Sequence, residues 1–241
     1  MLPIVSLLGI PAGGKGTLGP RLAEQFNFYY LSIGDMLRSI KKPCPTVRQL
    51  VEGEALPPHL LTALEGWMDE HVDVVIRSYR DLRAFVPLGI VLPVLREHIK
   101  EIEMNHDYKG ILLDGFPRQL DHAKLAKQYF GPRFPRLTIV IECPAHIARS
   151  RYLQRGRHND NLVHFEKRLD HFWMHMDPLL KELETSGLVR TVNDDSMTIQ
   201  QAYLALLAKL FHNETWNNIV NMQSERTLTS HITEPPSLSK Y

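Results

Sequence analysis

A glycine-rich segment at residues 9–17 is the feature that most restricts how this chain can fold. It directly follows a short apolar run, Ile4–Leu8, that is typical of a buried parallel strand, and it precedes a helical pattern over residues 15–25. Glycines let successive backbone N–H groups turn toward one anion, and the N-terminus of the following helix adds partial positive charge. This order of strand, glycine-rich turn and helix predicts a phosphate-binding loop, or P-loop, in an α/β domain.

The predicted P-loop contains one lysine and one hydroxyl side chain. Lys15 is placed to reach the β- and γ-phosphates of ATP, and the Thr17 hydroxyl can face Mg²⁺. A serine or threonine usually follows the lysine directly, whereas Gly16 intervenes here. A glycine-rich turn without a ligand is the alternative, but the coincidence of strand, spacing, lysine and hydroxyl favours ATP binding. The residues predicted to bind ATP in this loop are Gly9, Pro11, Ala12, Gly13, Gly14, Lys15, Gly16 and Thr17.

The rest of the chain continues the alternation of strand and helix. Apolar runs at residues 28–31, 111–113, 137–141 and 188–192 are separated by helical patterns. The sequence therefore predicts a three-layer α/β fold, in which helices cover both faces of a parallel five-stranded sheet. Residues 40–85 are helical in pattern, are interrupted by prolines and show no clear strand. We predict one domain over residues 1–212 with a helical insertion at 32–90, followed by a disordered polar tail at 213–241.

Composition excludes several classes of partner. Lysine and arginine number 28 against 27 acidic residues, so the net charge of +1 provides no strong field for nucleic acid or an acidic membrane. We see neither a secretory signal pattern nor an apolar stretch that could span a bilayer. Cys44 and Cys143 are far apart and are predicted to be free thiols. These features predict a cytoplasmic protein, with the nucleus as a second possible compartment.

Three further segments carry a resemblance to a known family. Residues 31–38 read LSIGDMLR, residues 111–118 read ILLDGFPR, and residues 151–161 read RYLQRGRHNDN, with Lys167 and Arg168 shortly after. Together with the Gly-Lys-Gly-Thr ending of the P-loop, they make residues 4–211 resemble the nucleoside monophosphate kinases of the adenylate kinase and UMP/CMP kinase group. The resemblance implies transfer of a phosphoryl group from MgATP to UMP, CMP or AMP, giving the diphosphate and ADP, by a monomer.

The resemblance also implies roles for individual residues. Asp114 would hold Mg²⁺ directly or through water, together with Thr17. Arg151 would contact ATP, and Asp160 would order a very short lid at residues 155–161. The implied catalytic residues are those that neutralise charge on the transferring phosphoryl group, namely Lys15, Arg118, Arg155, Arg157 and Arg168. The implied acceptor-binding residues, in and around the helical insertion, are Ser32, Ile33, Arg38, Val86, Gly115, Arg118 and His122.

Several positions depart from the family pattern and leave alternatives open. The family has glycine at the position of Ala12, paired acids where Asn159 stands, and an acid at Gly89. A nucleotide-binding protein with little or no turnover, or a P-loop kinase of another small molecule, is therefore retained as an alternative. The acceptor base is not readable, because Ile33 and His122 match neither the AMP nor the pyrimidine pattern.

The twelve histidines are scattered along the chain. His171 and His175 share one helix face but lack a third metal ligand nearby, so a structural or surface role is predicted for them.

Overall fold

One parallel sheet of five short strands organises the molecule, in the order β2-β3-β1-β4-β5. This computed structural model describes residues 2–40, 43–81, 84–105, 107–131, 134–157 and 160–221. The strands are β1 (Ile4–Leu8), β2 (Phe28–Ser32), β3 (Gly110–Asp114), β4 (Leu137–Glu142) and β5 (Leu188–Val192). All five residues of β1 are buried, as expected for a central strand covered on both faces. The predicted fold class is confirmed.

Helices cover both faces of this sheet. They are α1 (Lys15–Phe26), α2 (Ile33–Arg38), α3 (Val47–Val51), α4 (Pro58–Thr62), α5 (Val72–Asp81), α6 (Leu88–Asn105), α7 (Leu120–Phe130), α8 (Ala145–Gln154), α9 (Leu162–Leu183), α10 (Ile199–Phe211) and α11 (Glu214–Asn221). Alternate residues of β1 enter different cores, because Val5 and Leu7 pack with α1 and α10 while Ile4 packs with α6 and α7. The sheet therefore separates two apolar layers.

The predicted helical insertion, residues 32–90, contains α2, α3, α4, α5, one 3₁₀ turn, Glu65–Trp67, and the first residues of α6. In its described part the only strand-like feature is the single bridge between Thr46 and His71. Thr46 also begins α3, since its side chain accepts a hydrogen bond from the backbone of Gln49 while the Gln49 side chain accepts one from the Thr46 backbone. The insertion packs on α6 through buried aliphatic side chains, which belong to the same apolar core as residues of the sheet.

The C-terminal prediction needs a correction, because residues 214–221 are helical and packed. Trp216 in α11 is only 1% exposed, and its ring lies edge-on to Phe26 at 5.0 Å between centroids. The Asn213 side chain accepts a hydrogen bond from the Trp216 N–H and so caps the helix. Burial of Trp216 and Ile219 holds α11 against the core. The helix is too short to show a helical period in the sequence. Residues 222–241 of the predicted tail lie outside the described residues.

Within the described ranges, none of the helices combines the length and the apolar character needed to cross a bilayer.

Candidate active site

A cleft of about 600 Å³ opens along the carboxyl ends of the strands, where parallel α/β sheets bind ligands. It brings together most of the residues that the sequence assigned to the site, although these are spread over more than 150 positions. From the predicted set it is lined by Gly9, Pro11, Ala12, Gly14, Lys15, Gly16, Thr17, Ser32, Arg38, Asp114, Gly115, Arg118, Arg151, Arg155, Arg157 and Arg168. Gly13, Ile33, Val86, His122 and Asp160 are not among the lining residues.

The loop between β1 and α1 turns sharply through residues with positive φ. The φ angle is +109° at Gly14, which directly precedes α1, and +58° at Ala12. Ala12 therefore occupies the left-handed region that glycine adopts more easily, at a cost of about 1–2 kcal/mol. The Gly13 N–H donates to the Ile10 carbonyl at 3.1 Å. The departure at Ala12 thus falls on a position that would suit glycine.

Lys15 lies inside this loop and bonds to its backbone. Its ammonium donates to the carbonyl oxygens of Gly9 at 2.8 Å and Ile10 at 2.9 Å. Burial lowers the pKa of Lys15 to about 8; Asp114 opposes this shift, whereas Arg168 and the neighbouring arginines add to it. Because burial disfavours the charged form of Lys15, a negatively charged ligand beside the ammonium would stabilise that form.

Asp114 ends β3 with one of its carboxylate oxygens free for a ligand. The Tyr30 hydroxyl donates to Oδ2 at 2.6 Å, whereas Oδ1 is buried and has no hydrogen-bond partner among the described residues. Burial, and then the charge of Asp114, raise the pKa of Tyr30, so the hydroxyl keeps its proton. A buried carboxylate oxygen without a donor suits Mg²⁺ or one of its waters, and Thr17 lines the same cleft.

A magnesium ion at Asp114 would need ligands from outside the protein. The described part of the chain holds no cluster of three His, Cys, Asp or Glu side chains able to bind a metal. Mg²⁺ is commonly held by one or two protein groups together with nucleotide phosphates and water. The residues at this position fit an ion that arrives with a nucleotide.

Two arginines that follow the neighbouring strands β2 and β3 line the cleft. Arg38 ends α2 and forms an ion pair with Asp35 in the same helix. Arg118 follows β3, and its Nε donates to the Gly115 carbonyl at 2.9 Å. Burial, followed by the charge of Arg168, lowers the pKa of Arg118 to about 10. A guanidinium whose charge is disfavoured by burial and by another arginine is well suited to receive a phosphate.

One carboxylate, that of Asp160, accepts hydrogen bonds from two residues that follow α8. Asp160 accepts from Arg155 Nε at 2.5 Å and Nη2 at 2.8 Å, and from the Arg157 N–H at 3.2 Å. The Asp160 side chain is only 4% exposed. Burial alone would raise the pKa of Asp160, but the hydrogen bonds and charge of Arg155, together with the hydrogen bond from the Arg157 backbone, lower it. The structure thus places Asp160 behind the cleft, where it orients an arginine that lines it.

Sequence reasoning missed Asn193, which comes just after β5. Its Nδ2 donates to the Gly13 carbonyl at 2.9 Å, and a Cβ on Gly14 would lie 1.9 Å from that Nδ2. Arg151 donates to the backbone carbonyls of Asn193 at 3.4 Å and Asp194 at 3.1 Å, so it braces the same turn. The only available signal was the position of Asn193 at the carboxyl end of a strand. Tyr30, the partner of Asp114, was missed as well.

Three predicted acceptor-base residues lie away from the cleft surface. Ile33 is buried in the apolar layer, and Val86 packs against that layer. His122 is stacked on Phe116 with 5.8 Å between ring centroids, and burial lowers its pKa to about 4. His171, for which a structural or surface role was predicted, lines the cleft.

Comparison with known proteins agrees with this geometry. No family model matches the chain. The chain is 31% identical over 195 residues to UMP-CMP kinase 2 of Caenorhabditis elegans, and the aligned region covers 80% of this chain and 88% of that protein. It is 27% identical over 194 residues to human adenylate kinase isoenzyme 1, covering 79% of this chain and 85% of the relative. It is 29% identical over 209 residues to mouse adenylate kinase isoenzyme 5, covering 84% of this chain but only 32% of that longer protein.

The parallel sheet with a glycine-rich loop between β1 and α1 defines a P-loop NTPase fold. Together with these relatives, it shows that the chain belongs to the nucleoside monophosphate kinase family.

Proposed function

We propose that this protein transfers the γ-phosphoryl group of MgATP to a nucleoside monophosphate, giving a nucleoside diphosphate and ADP. The observation that carries the proposal is the convergence on one cleft of a half-buried lysine, a carboxylate and the side chains of Arg38, Arg118, Arg151, Arg155, Arg157 and Arg168. Phosphoryl transfer needs positioning and positive charge more than a covalent catalyst. A cleft with this composition suits two nucleotides that meet through their phosphates.

The loop end of the cleft is the proposed ATP site. Backbone N–H groups at the start of α1, together with Lys15, would bind the β- and γ-phosphates. Bound Mg²⁺ would neutralise part of the charge on these phosphates, and Thr17 and Asp114 would hold it directly or through water. Tyr30 keeps Asp114 oriented by donating to Oδ2, so that Oδ1 remains available.

The opposite end of the cleft is the proposed acceptor site. Arg38 and Arg118 would hold the acceptor phosphate, since two guanidinium groups that line the same cleft can bind several of its oxygens at once. An oxygen of that phosphate attacks the γ-phosphorus, and the bond from the γ-phosphorus to the bridging oxygen of ADP breaks. The described residues supply the charge and orientation for this step, and no side chain needs to form a covalent intermediate.

The three arginines at and after the lid are proposed to act on the transition state. Arg155 and Arg157 follow α8 and both donate hydrogen bonds to Asp160, and Arg168 belongs to α9. Charge spreads over the equatorial and bridging oxygens during transfer, and preorganised donors stabilise it without reorganising. The hydrogen bonds of Asp160 to Arg155 and to the Arg157 backbone supply part of that preorganisation.

UMP, CMP and AMP are the proposed acceptors, since the relatives carry both UMP-CMP kinase and adenylate kinase names. The test is to incubate the full chain with MgATP and each of AMP, CMP, UMP and GMP, and to separate the nucleotide products. With CMP or UMP we expect ADP and the matching diphosphate in equal amounts, and with AMP two molecules of ADP for each ATP consumed. Lys15→Ala should form none of these products. Tight binding of ATP and a monophosphate with no diphosphate formed would contradict the proposal and support a nucleotide-binding protein without turnover.

A further inference from the structure

Three histidine rings lie together between α7 and α9, next to the cleft. His171 and His175 are one turn apart on α9, and their ring centroids are separated by 4.4 Å. His122 belongs to α7, which packs against α9, and it lies close enough to both rings for their charges to affect its pKa. Of the three, His171 is the one that lines the cleft. We call these three residues the histidine cluster.

Arg118 links the histidine cluster to the proposed site of the acceptor phosphate. Its Cζ atom lies 4.8 Å from the centroid of the Phe85 ring, and the centroid of the His171 ring lies 4.4 Å from that of the same phenylalanine. The charge of Arg118 lowers the pKa of both His122 and His171. An anion that binds Arg118 would therefore also change the electrostatic potential at these histidines.

The other charged groups around the histidine cluster leave it in a mostly positive environment. Arg168 lies on the same face of α9, one turn before the first histidine of that helix, and Arg118 approaches from the turn after β3. From α7 comes Asp121, an acid that favours protonation but is exposed to solvent. The connection before α6 contributes the uncharged ring of Phe85. These surroundings favour neutral histidines.

Burial favours the neutral forms further. It lowers the pKa of His122 to about 4, and Nδ1 of that ring is buried without a hydrogen-bond partner among the described residues, so His122 stays neutral near neutral pH. Burial is also the largest cause of the lowered pKa of His171, followed by the charges of His175 and Arg118. Because His171 lines the cleft, it is the member of the cluster whose protonation a ligand in the cleft can change.

We propose that His171 takes up a proton from solvent when a phosphomonoester binds at Arg118, so that acceptor binding is coupled to the charge of the histidine cluster. The inference rests on the proposed function, because it places the acceptor phosphate on Arg118. A phosphate dianion offsets the charge of Arg118 and attracts an imidazolium, so it raises the pKa of His171 from its lowered value.

The sign of the effect on affinity follows from this shift. The additional affinity is fully present below the pKa that His171 has in the free chain, and it is lost as the pH rises through the pKa in the complex. A shift of about one unit corresponds to about a tenfold gain. The gain falls in the mildly acidic range, because the pKa of His171 in the free chain lies below that of an ordinary histidine.

Calorimetry with UMP on the full chain, repeated in buffers of different ionisation enthalpy, counts the protons taken up on binding. The UMP phosphate itself titrates at about pH 6, and this background is common to wild type and His171→Asn. At pH 6 the wild type should take up more protons than His171→Asn, by about half a proton for a shift of one unit. The ratio of the variant Kd to the wild-type Kd should be about tenfold larger at pH 5 than at pH 8. AMP or CMP replaces UMP if the wild type binds it more tightly.

Two further variants make the test specific. His146→Asn is the matched control, since His146 is exposed on α8 and does not line the cleft, and it should keep the wild-type proton number. His175→Asn removes a charge that opposes protonation of His171, so it should move the pH of greatest proton uptake upward.

Equal proton uptake by wild type and His171→Asn, or a Kd ratio that is constant between pH 5 and pH 8, would overturn the coupling while leaving phosphoryl transfer intact. A wild type that takes up the additional proton but forms no diphosphate would overturn the proposed phosphoryl transfer and support the coupling. A wild type that binds MgATP but no monophosphate would overturn both.

Discussion

Substituting Gly14 by alanine should damage the P-loop through a contact with Asn193. The new Cβ would lie 1.9 Å from Asn193 Nδ2, closer than any real contact, and Gly14 has a φ of +109°. The Asn193 side chain would have to leave its hydrogen bond to Gly13. A strained backbone costs about 1–3 kcal/mol, and a buried amide left without its partner costs about 1–3 kcal/mol more.

The expected loss is therefore roughly 2–6 kcal/mol, which at about 2–4 °C per kcal/mol lowers the Tm of a domain of this size by about 4–24 °C. Thermal unfolding followed by circular dichroism measures it. Gly16→Ala is the matched control, because Gly16 has an unstrained φ and no atom within 4 Å of the added Cβ. Alanine there should be neutral or stabilise α1 by up to about 1 kcal/mol.

A double variant separates the two causes. Asn193→Ala removes the colliding amide, so Gly14→Ala should cost about 1–2 kcal/mol less in that background, the remainder being backbone strain. If Gly14→Ala leaves the Tm within about 2 °C of wild type, or if its cost is the same with and without Asn193, the packing argument is refuted.

Four further predictions concern catalysis. Lys15→Ala should abolish phosphoryl transfer with unchanged circular dichroism, and a variant keeping most of its rate at saturating MgATP would refute the role of Lys15. Asp114→Asn should shift the Mg²⁺ activation curve to higher concentration more than it weakens nucleotide binding, which a metal titration at fixed ATP measures. Arg157→Ala or Arg168→Ala should lower kcat by roughly 10²- to 10³-fold with little change in the KM for ATP, whereas a pure KM effect would assign these arginines to binding. The pKa of Lys15 is about 8, and a polyphosphate binds the protonated lysine. The affinity for MgATP should therefore fall by about tenfold per pH unit above pH 8, and the protonation of Lys15 should not change this affinity below pH 7. Lys15→Arg should remove this pH dependence.

The five strands and the loop between β1 and α1 could be predicted because each depends on local sequence. The run Ile4–Leu8 and the glycines after it carry both the strand and the loop, and Asp114 ends a strand that its own apolar residues identify. Parallel strands bring their carboxyl ends to one edge, so residues 100 positions apart meet without any long-range information.

The residues that the sequence did not reveal act through tertiary contacts. Asn193 is one polar residue in a polar turn, and its importance comes from a carbonyl 180 positions away. Trp216 looked like part of a tail because its helix has only eight residues, too few to display a period. Phe85 and His171 are 86 positions apart in the sequence, and their rings meet only in the folded chain, at 4.4 Å between centroids.

The contact between Asn193 and Gly13 also has a consequence for synthesis on the ribosome. Chains emerge from the N-terminus and domains begin to fold as they appear. Here β1 emerges first, but its neighbours in the sheet are β3 and β4, so it stays unpaired until about residue 114 has left the tunnel and is paired on both sides only after about residue 142. The loop beside it then lacks the Asn193 amide until β5 has followed. The loop after β1 is therefore synthesised early but makes its last contact late. In nascent chains that stop before β5, this loop lacks the hydrogen bond from Asn193 to Gly13.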